Sequence, residues 1–311
     1  MKKSVLMILL LAFLAGCGYF PSGGGGGGSG SLSSTQGLVI SFDPSSPPSQ
    51  VHDNDQTFDV GVIVENRGSY ETTGTVTLRG FDPRIITGVA RFKTTGLLDP
   101  VTVTPSLSRV EGGSDYLAFS GTTRPLSSVG LPTDKYEFPL QATVCYVYDT
   151  IASAEQLCVD PDPRAVTSRS CVVPSSLPLT SAAPVKVNIR DIAPTKGETT
   201  YVFEVSDGGG GIVFATDAMN SCANNNLQRQ DIGKVKVLRV SIGADDITGS
   251  CTGLSGGYLA MSFDQQWRPQ PKIFRCTHTP ASDGAYSTSP TVILEYGYMQ
   301  SITKQVQIVA T

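Results

Sequence analysis

Apolar side chains recur at every second position along most of this chain. Past residue 16 no stretch of ten residues keeps the 3.6-residue apolar spacing of a half-buried helix. From Phe58 the chain reads FDVGVIVEN, with Phe58, Val60, Val62 and Val64 on one face and Asp59, Gly61, Ile63 and Glu65 on the other. TVTLR at 75–79 turns Val76 and Leu78 inward, and Val185, Val187 and Ile189 alternate with Lys186, Asn188 and Arg190. The longest alternation runs from Tyr136 to Tyr148 through Phe138, Leu140, Ala142, Val144 and Tyr146. Further strands are predicted at 38–42, 115–120, 199–206, 211–215, 234–242, 257–263, 272–277, 290–298 and 304–309. Between them lie FDPSSPPS, ENRGSY and SDGGGG, which are turn chemistry. Many short strands with no crossover helices predict an all-β protein of antiparallel sandwiches. The stretch from Asp82 to Gly113 fits neither strand nor short loop and is expected as a long excursion.

An internal repeat predicts two units. ATVCYVYDTIASAEQLCV at 142–159 aligns without a gap on VILEYGYMQSITKQVQIV at 292–309, so Tyr146 and Tyr148 match Tyr296 and Tyr298. Both segments read as strand, short loop, strand: a hairpin closing a sandwich. Upstream, VIVENRG (62–68) matches FEVSDGG (203–209), a strand entering a polar, glycine-bearing turn. The expectation is two tandem sandwiches with separate cores, 37–165 and 185–311, joined by a connector at 166–184. The four tyrosines are inward by alternation.

The first residues set the expected compartment. Lys2 and Lys3 precede the apolar run Val5–Leu14, about half the length that spans ~30 Å of hydrocarbon, so 1–16 reads as a signal peptide. The run ends in Leu14-Ala15-Gly16-Cys17, which resembles the lipobox of bacterial and archaeal lipoproteins. That resemblance implies cleavage before Cys17 and a lipid on its sulfur. Residues 17–36 then form a tether whose Ser/Gly-rich part, Ser22 to Ser34, reaches roughly 20 Å as a random coil.

Without Lys2 and Lys3 the chain carries 21 basic and 27 acidic residues, a net charge of −6. No Lys/Arg cluster stands out, so no nucleic-acid partner is expected. Besides Cys17 there are six cysteines: Cys145, Cys158, Cys171, Cys222, Cys251 and Cys276. An even number in an exported chain predicts up to three disulfides, and no CxxC motif suggests zinc or thioredoxin chemistry. The repeat puts Cys145 and Cys158 on opposite faces, which argues against their pairing. A Cys158–Cys171 bridge would instead clip the loop DPDPRAVTSRS. The partner of Cys145 stays open among Cys222, Cys251 and Cys276.

Chemistry is sparse. Asp53/Asp55, Asp160/Asp162 and Asp245/Asp246 could supply oxygens to calcium, but none has a calcium-loop spacing, and turn aspartates commonly bond their own backbone. GxSxG is absent, the only imidazoles are His52 and His278, and Gly208–Gly211 leads into a strand rather than a phosphate-binding helix. His278 beside Cys276 would form a reactive pair only if that thiol were free. No catalytic residue, metal site or cofactor is therefore predicted. Trp267 with Arg268 is the candidate ligand contact, able to stack on a sugar or anchor a protein.

The strand–N-x-G turn, the YxY hairpin and the tandem plan resemble immunoglobulin-like, CARDB-type adhesion modules of archaeal and bacterial surface proteins. The run FDP…CYVY…CVDPDP…C is similar to archaeal surface lipoproteins. The resemblance implies a fold and an extracytoplasmic envelope location, with the membrane as partner through Cys17. It carries no catalytic residues. The expected function is a structural or adhesive one at the cell surface. The alternative is a binding lipoprotein that captures a glycan or peptide at a cleft between the sandwiches or at the 82–113 excursion. Assembly by strand addition at the first strand or at 304–309 is a third reading.

Overall fold

Ten principal strands carry the fold of the computed structural model, which describes residues 34–54, 56–104, 106, 108–131, 133–165, 170–265 and 268–311. It is an all-β sandwich, 55 % strand and 6 % helix. In the first half the strands are β1 (Leu38–Phe42), β2 (Thr57–Asn66), β3 (Gly74–Arg79), β4 (Ser114–Thr123) and β5 (Lys135–Ser153). In the second they are β6 (Val185–Thr195), β7 (Glu198–Asp207), β8 (Lys234–Ile242), β9 (Lys272–His278) and β10 (Pro290–Val309). The halves repeat one topology. One sheet runs β1-β2-β4, another β6-β7-β9, and the central sheet runs β8-β10-β5-β3, all antiparallel.

The central sheet joins the halves. β5 and β10 pair from Lys135 opposite Val309 to Ser153 opposite Thr291 with no register shift. Val147 lies opposite Gly297, and these are also the residues that the repeat equates, 150 positions apart. A local two-fold axis therefore passes between them, relating the halves.

This arrangement corrects two expectations. Neither 142–159 nor 292–309 is a hairpin. β10 continues unbroken through the predicted loop because its last residues have partners on both sides, β5 and the parallel segment Gln50–His52. After β5, Leu157–Val159 pairs with Tyr286–Thr288 rather than folding back on β5. The second correction concerns the separate cores: one apolar cluster holds Phe58, Val76, Tyr146 and Tyr148 from the first half with Tyr201, Val240, Tyr296 and Tyr298 from the second. Alternation marks the buried face of a strand and is blind to its lateral neighbour. The inward faces of β5 and β10 are both apolar, so pairing them edge to edge buries both under a single core and leaves neither long edge open. At roughly 1.5–3 kcal/mol per fully buried large side chain, that shared core dominates the stabilisation.

The opposite face of β5 is covered at its middle by α1 (Met219–Ala223), where Cys145, Phe214, Ala218 and Cys222 form a second apolar cluster. The stretch 82–113 adds short edge pairs: Ile86–Thr87 on β4, Phe92–Thr94 on β3, and Thr102–Val103 with Arg109–Val110.

Candidate functional site

The two sequence repeats meet in space, once in each half. In the first, the N–H of Gly68 donates to Asn66 Oδ1 at 3.1 Å, closing a turn. The N–H of Tyr70 donates to Tyr148 Oη at 3.0 Å, and that hydroxyl lies 3.5 Å from Asn66 Oδ1. In the second, Gly209 N–H donates to Asp207 Oδ1 at 3.0 Å and Gly211 N–H to Tyr298 Oη at 2.7 Å. Tyr298 Oη donates to Asp207 Oδ1 at 2.9 Å. The second tyrosine of each YxY thus locks the polar turn of its own half. Glycine is required by close approach: a Cβ on Gly68 would sit 2.0 Å from Tyr148 Oη, and one on Gly209 2.3 Å from Tyr298 Oη. The four rings pack around the local axis, Tyr146 to Tyr298 at 5.7 Å and Tyr148 to Tyr296 at 6.5 Å between centroids. These tyrosines are core, as alternation predicts, and burial pushes each phenol well above its ordinary range.

The halves differ at one atom of this lock. Burial raises the Asp207 carboxyl above the ordinary value despite the bonds from Gly209 and Tyr298, whereas Asn66 holds no charge. A carboxyl raised on folding contributes stability below its unfolded value and loses it as pH rises through the folded value. Both bonds end on Oδ1, which an amide reproduces. Asp207→Asn is therefore expected to raise the unfolding midpoint by a few degrees at pH 7, with the gain vanishing near pH 3. Thermal melts across that range check this, and a loss at pH 7 would contradict it.

The cysteines pair as Cys145–Cys222, Cys158–Cys171 and Cys251–Cys276. The loop clip foreseen at Cys158–Cys171 is present, and Cys145 takes Cys222 on α1. With Cys276 bonded, no Cys/His pair forms. His278 is buried with Nε2 2.9 Å from Asp245 Oδ2, while His52 is exposed. The acidic pairs are turn and terminus fixtures. Asp53 accepts from Leu126 N–H and from the N–H and hydroxyl of Thr311; Asp160 accepts from Asp162 N–H; Asp246 accepts from Thr248. Cys17, Asp55 and Trp267 lie outside the described residues. Arg268 is exposed, its N–H bonded to Asp264 Oδ1 at 2.8 Å.

Three clefts stand out among the described residues. One of 580 Å³ is lined by Arg67 and Arg109 already paired with Glu65 and Glu111, and one of 350 Å³ lies between β1 and Gly210–Ile212. The largest of these, 610 Å³, is bounded by Ser69, Ile151 and Ser153 at the end of β5, the following Ala154–Gln156, and the connector Leu177–Ala182. Ile151 there is 48 % exposed, and the buried Ser181 hydroxyl makes no hydrogen bond among the described residues. This cleft combines apolar surface, the Ser181 hydroxyl and the exposed Glu155, so it is the best candidate for binding among the described residues. Sequence reasoning missed it, because its walls come from segments that are remote in the chain. Neither the family models nor the curated proteins contain a match to this chain.

Proposed function

We propose that this chain is a lipid-anchored, extracytoplasmic protein of the cell surface with a structural or adhesive role and no catalysis. The observation that supports this best is the set of three disulfides, one of which staples the two halves together; such bonds persist in oxidising compartments. The leader and the Leu14–Cys17 lipobox supply export and the membrane contact. Among the described residues no helix is long and apolar enough to cross a membrane, so the proposed anchor is the lipid on Cys17. The likeness to CARDB-type surface modules agrees with a duplicated sandwich that presents loops. The cleft at the end of β5 favours a second reading, capture of a peptide or glycan from another surface molecule.

Metabolic labelling with an alkyne fatty acid, followed by membrane fractionation, tests the anchor. The wild type is expected to carry label and sediment with membranes, and Cys17→Ser to lose both. An unlabelled, soluble wild type would overturn the proposal.

A further inference from the structure

Five buried side-chain polar atoms have no hydrogen-bond partner among the described residues, and three of them belong to one corner of the second half: Thr199 Oγ1, Tyr201 Oη and His278 Nδ1. Thr199 on β7 lies directly opposite His278 on β9, and Tyr201 is two residues along β7 on the same face. Side chains directly opposite in an antiparallel pair stand about 4.5–5.5 Å apart at Cβ. Tyr201 Oη also approaches Thr199 Oγ1 without closing a hydrogen bond. None of the three residues is more than 1 % exposed.

The fold does not require polar groups here. The match of 62–68 with 203–209 puts Phe58 and Val60 at the places of Thr199 and Tyr201, and Gly121, opposite Phe58, at the place of His278. Phe58 and Val60 are buried in the shared core. The first half thus fills this corner with apolar groups, whereas the second buries three atoms that each need a partner.

The chemistry of the three atoms names that partner. His278 Nε2 lies 2.9 Å from Asp245 Oδ2, and a carboxylate only accepts, so the ring proton belongs on Nε2. The neutral ring then presents Nδ1 as an acceptor, while each hydroxyl can both donate and accept. One small molecule with two hydrogens and a lone pair satisfies all three: it donates to Nδ1 and to one hydroxyl and accepts from the other. Among the described residues no group of three or more His, Cys, Asp or Glu side chains forms, so the corner lacks the ligands a metal ion needs.

We propose that Thr199, Tyr201 and His278 form a binding site for a single water molecule. Buried waters bond about three polar groups in this way. By donating to Nδ1, the water holds His278 in the tautomer whose Nε2–H reaches Asp245, and so holds the exposed turn at 243–246 against β9. The site is independent of the lipid anchor and of the capture reading.

Melting points of the full-length protein in detergent, carrying Thr199→Val, Tyr201→Phe or both, test this, since each change keeps the side chain's outline and removes a hydroxyl. With the water bound, each single change breaks a made bond and lowers the melting point by about 2 °C or more. The double variant falls by less than the sum, because the two hydroxyls share one partner. A rise in either single variant would overturn the site, because removing a hydroxyl that truly lacks a partner relieves a burial cost. Strictly additive losses would overturn it as well. A crystal structure of the full-length protein gives the second readout, with one oxygen expected within about 3.2 Å of Thr199 Oγ1, Tyr201 Oη and His278 Nδ1. Direct bonds among the three side chains that leave no room for it, or a metal ion with anomalous scattering in its place, would contradict the proposal.

Discussion

Replacing Cys145 and Cys222 with serine is expected to cost about 4.5 kcal/mol of stability, the largest loss among the three bridges. The bond closes a loop of 77 residues, against 25 for Cys251–Cys276 and 13 for Cys158–Cys171. Restriction of the unfolded chain grows with the logarithm of loop length, giving about 3.5 and 3 kcal/mol for the shorter loops. The native state adds to the difference. Cys145 and Cys222 are both buried, within the apolar cluster that fixes α1 on β5, and serine would place two hydroxyls there. For a chain of this size the unfolding midpoint should fall by roughly 10 °C. Calorimetry of the three double-serine variants checks the order. The account is contradicted if the Cys158–Cys171 pair proves the costliest to remove.

The strands were legible because one face of each is buried: Phe58, Val60, Val62 and Val64 are all inward in β2, as alternation requires. The duplication was legible too, since Tyr146/Tyr148 and Tyr296/Tyr298 occupy equivalent places about the axis. What could not be read was lateral neighbourhood. Nothing local in QATVCYVYD says that its partner lies 150 residues away, because backbone bonds in a sheet are made by every residue type. The same blindness turned one 20-residue strand, β10, into a predicted hairpin. α1 escaped notice because five residues cannot display a helical period. Its cysteine nonetheless settles the pairing of Cys145. The role of Asp246, which accepts from Thr248 two residues on, followed from turn chemistry, whereas Asp53 ties down Leu126 and Thr311, partners remote in the chain that no local pattern announces.

The halves are one folding unit fused through β5 and β10, and separating them tests this most directly. Residues 34–165 and 185–311, produced alone, each keep two sheets but expose the long edge of β5 or β10 and one side of the tyrosine cluster. Thermal unfolding of each half beside the whole chain should show no cooperative transition in either half and a single one in the intact protein. A half that melts cooperatively near the temperature of the whole chain, or an intact protein that melts in two steps, would contradict the shared core.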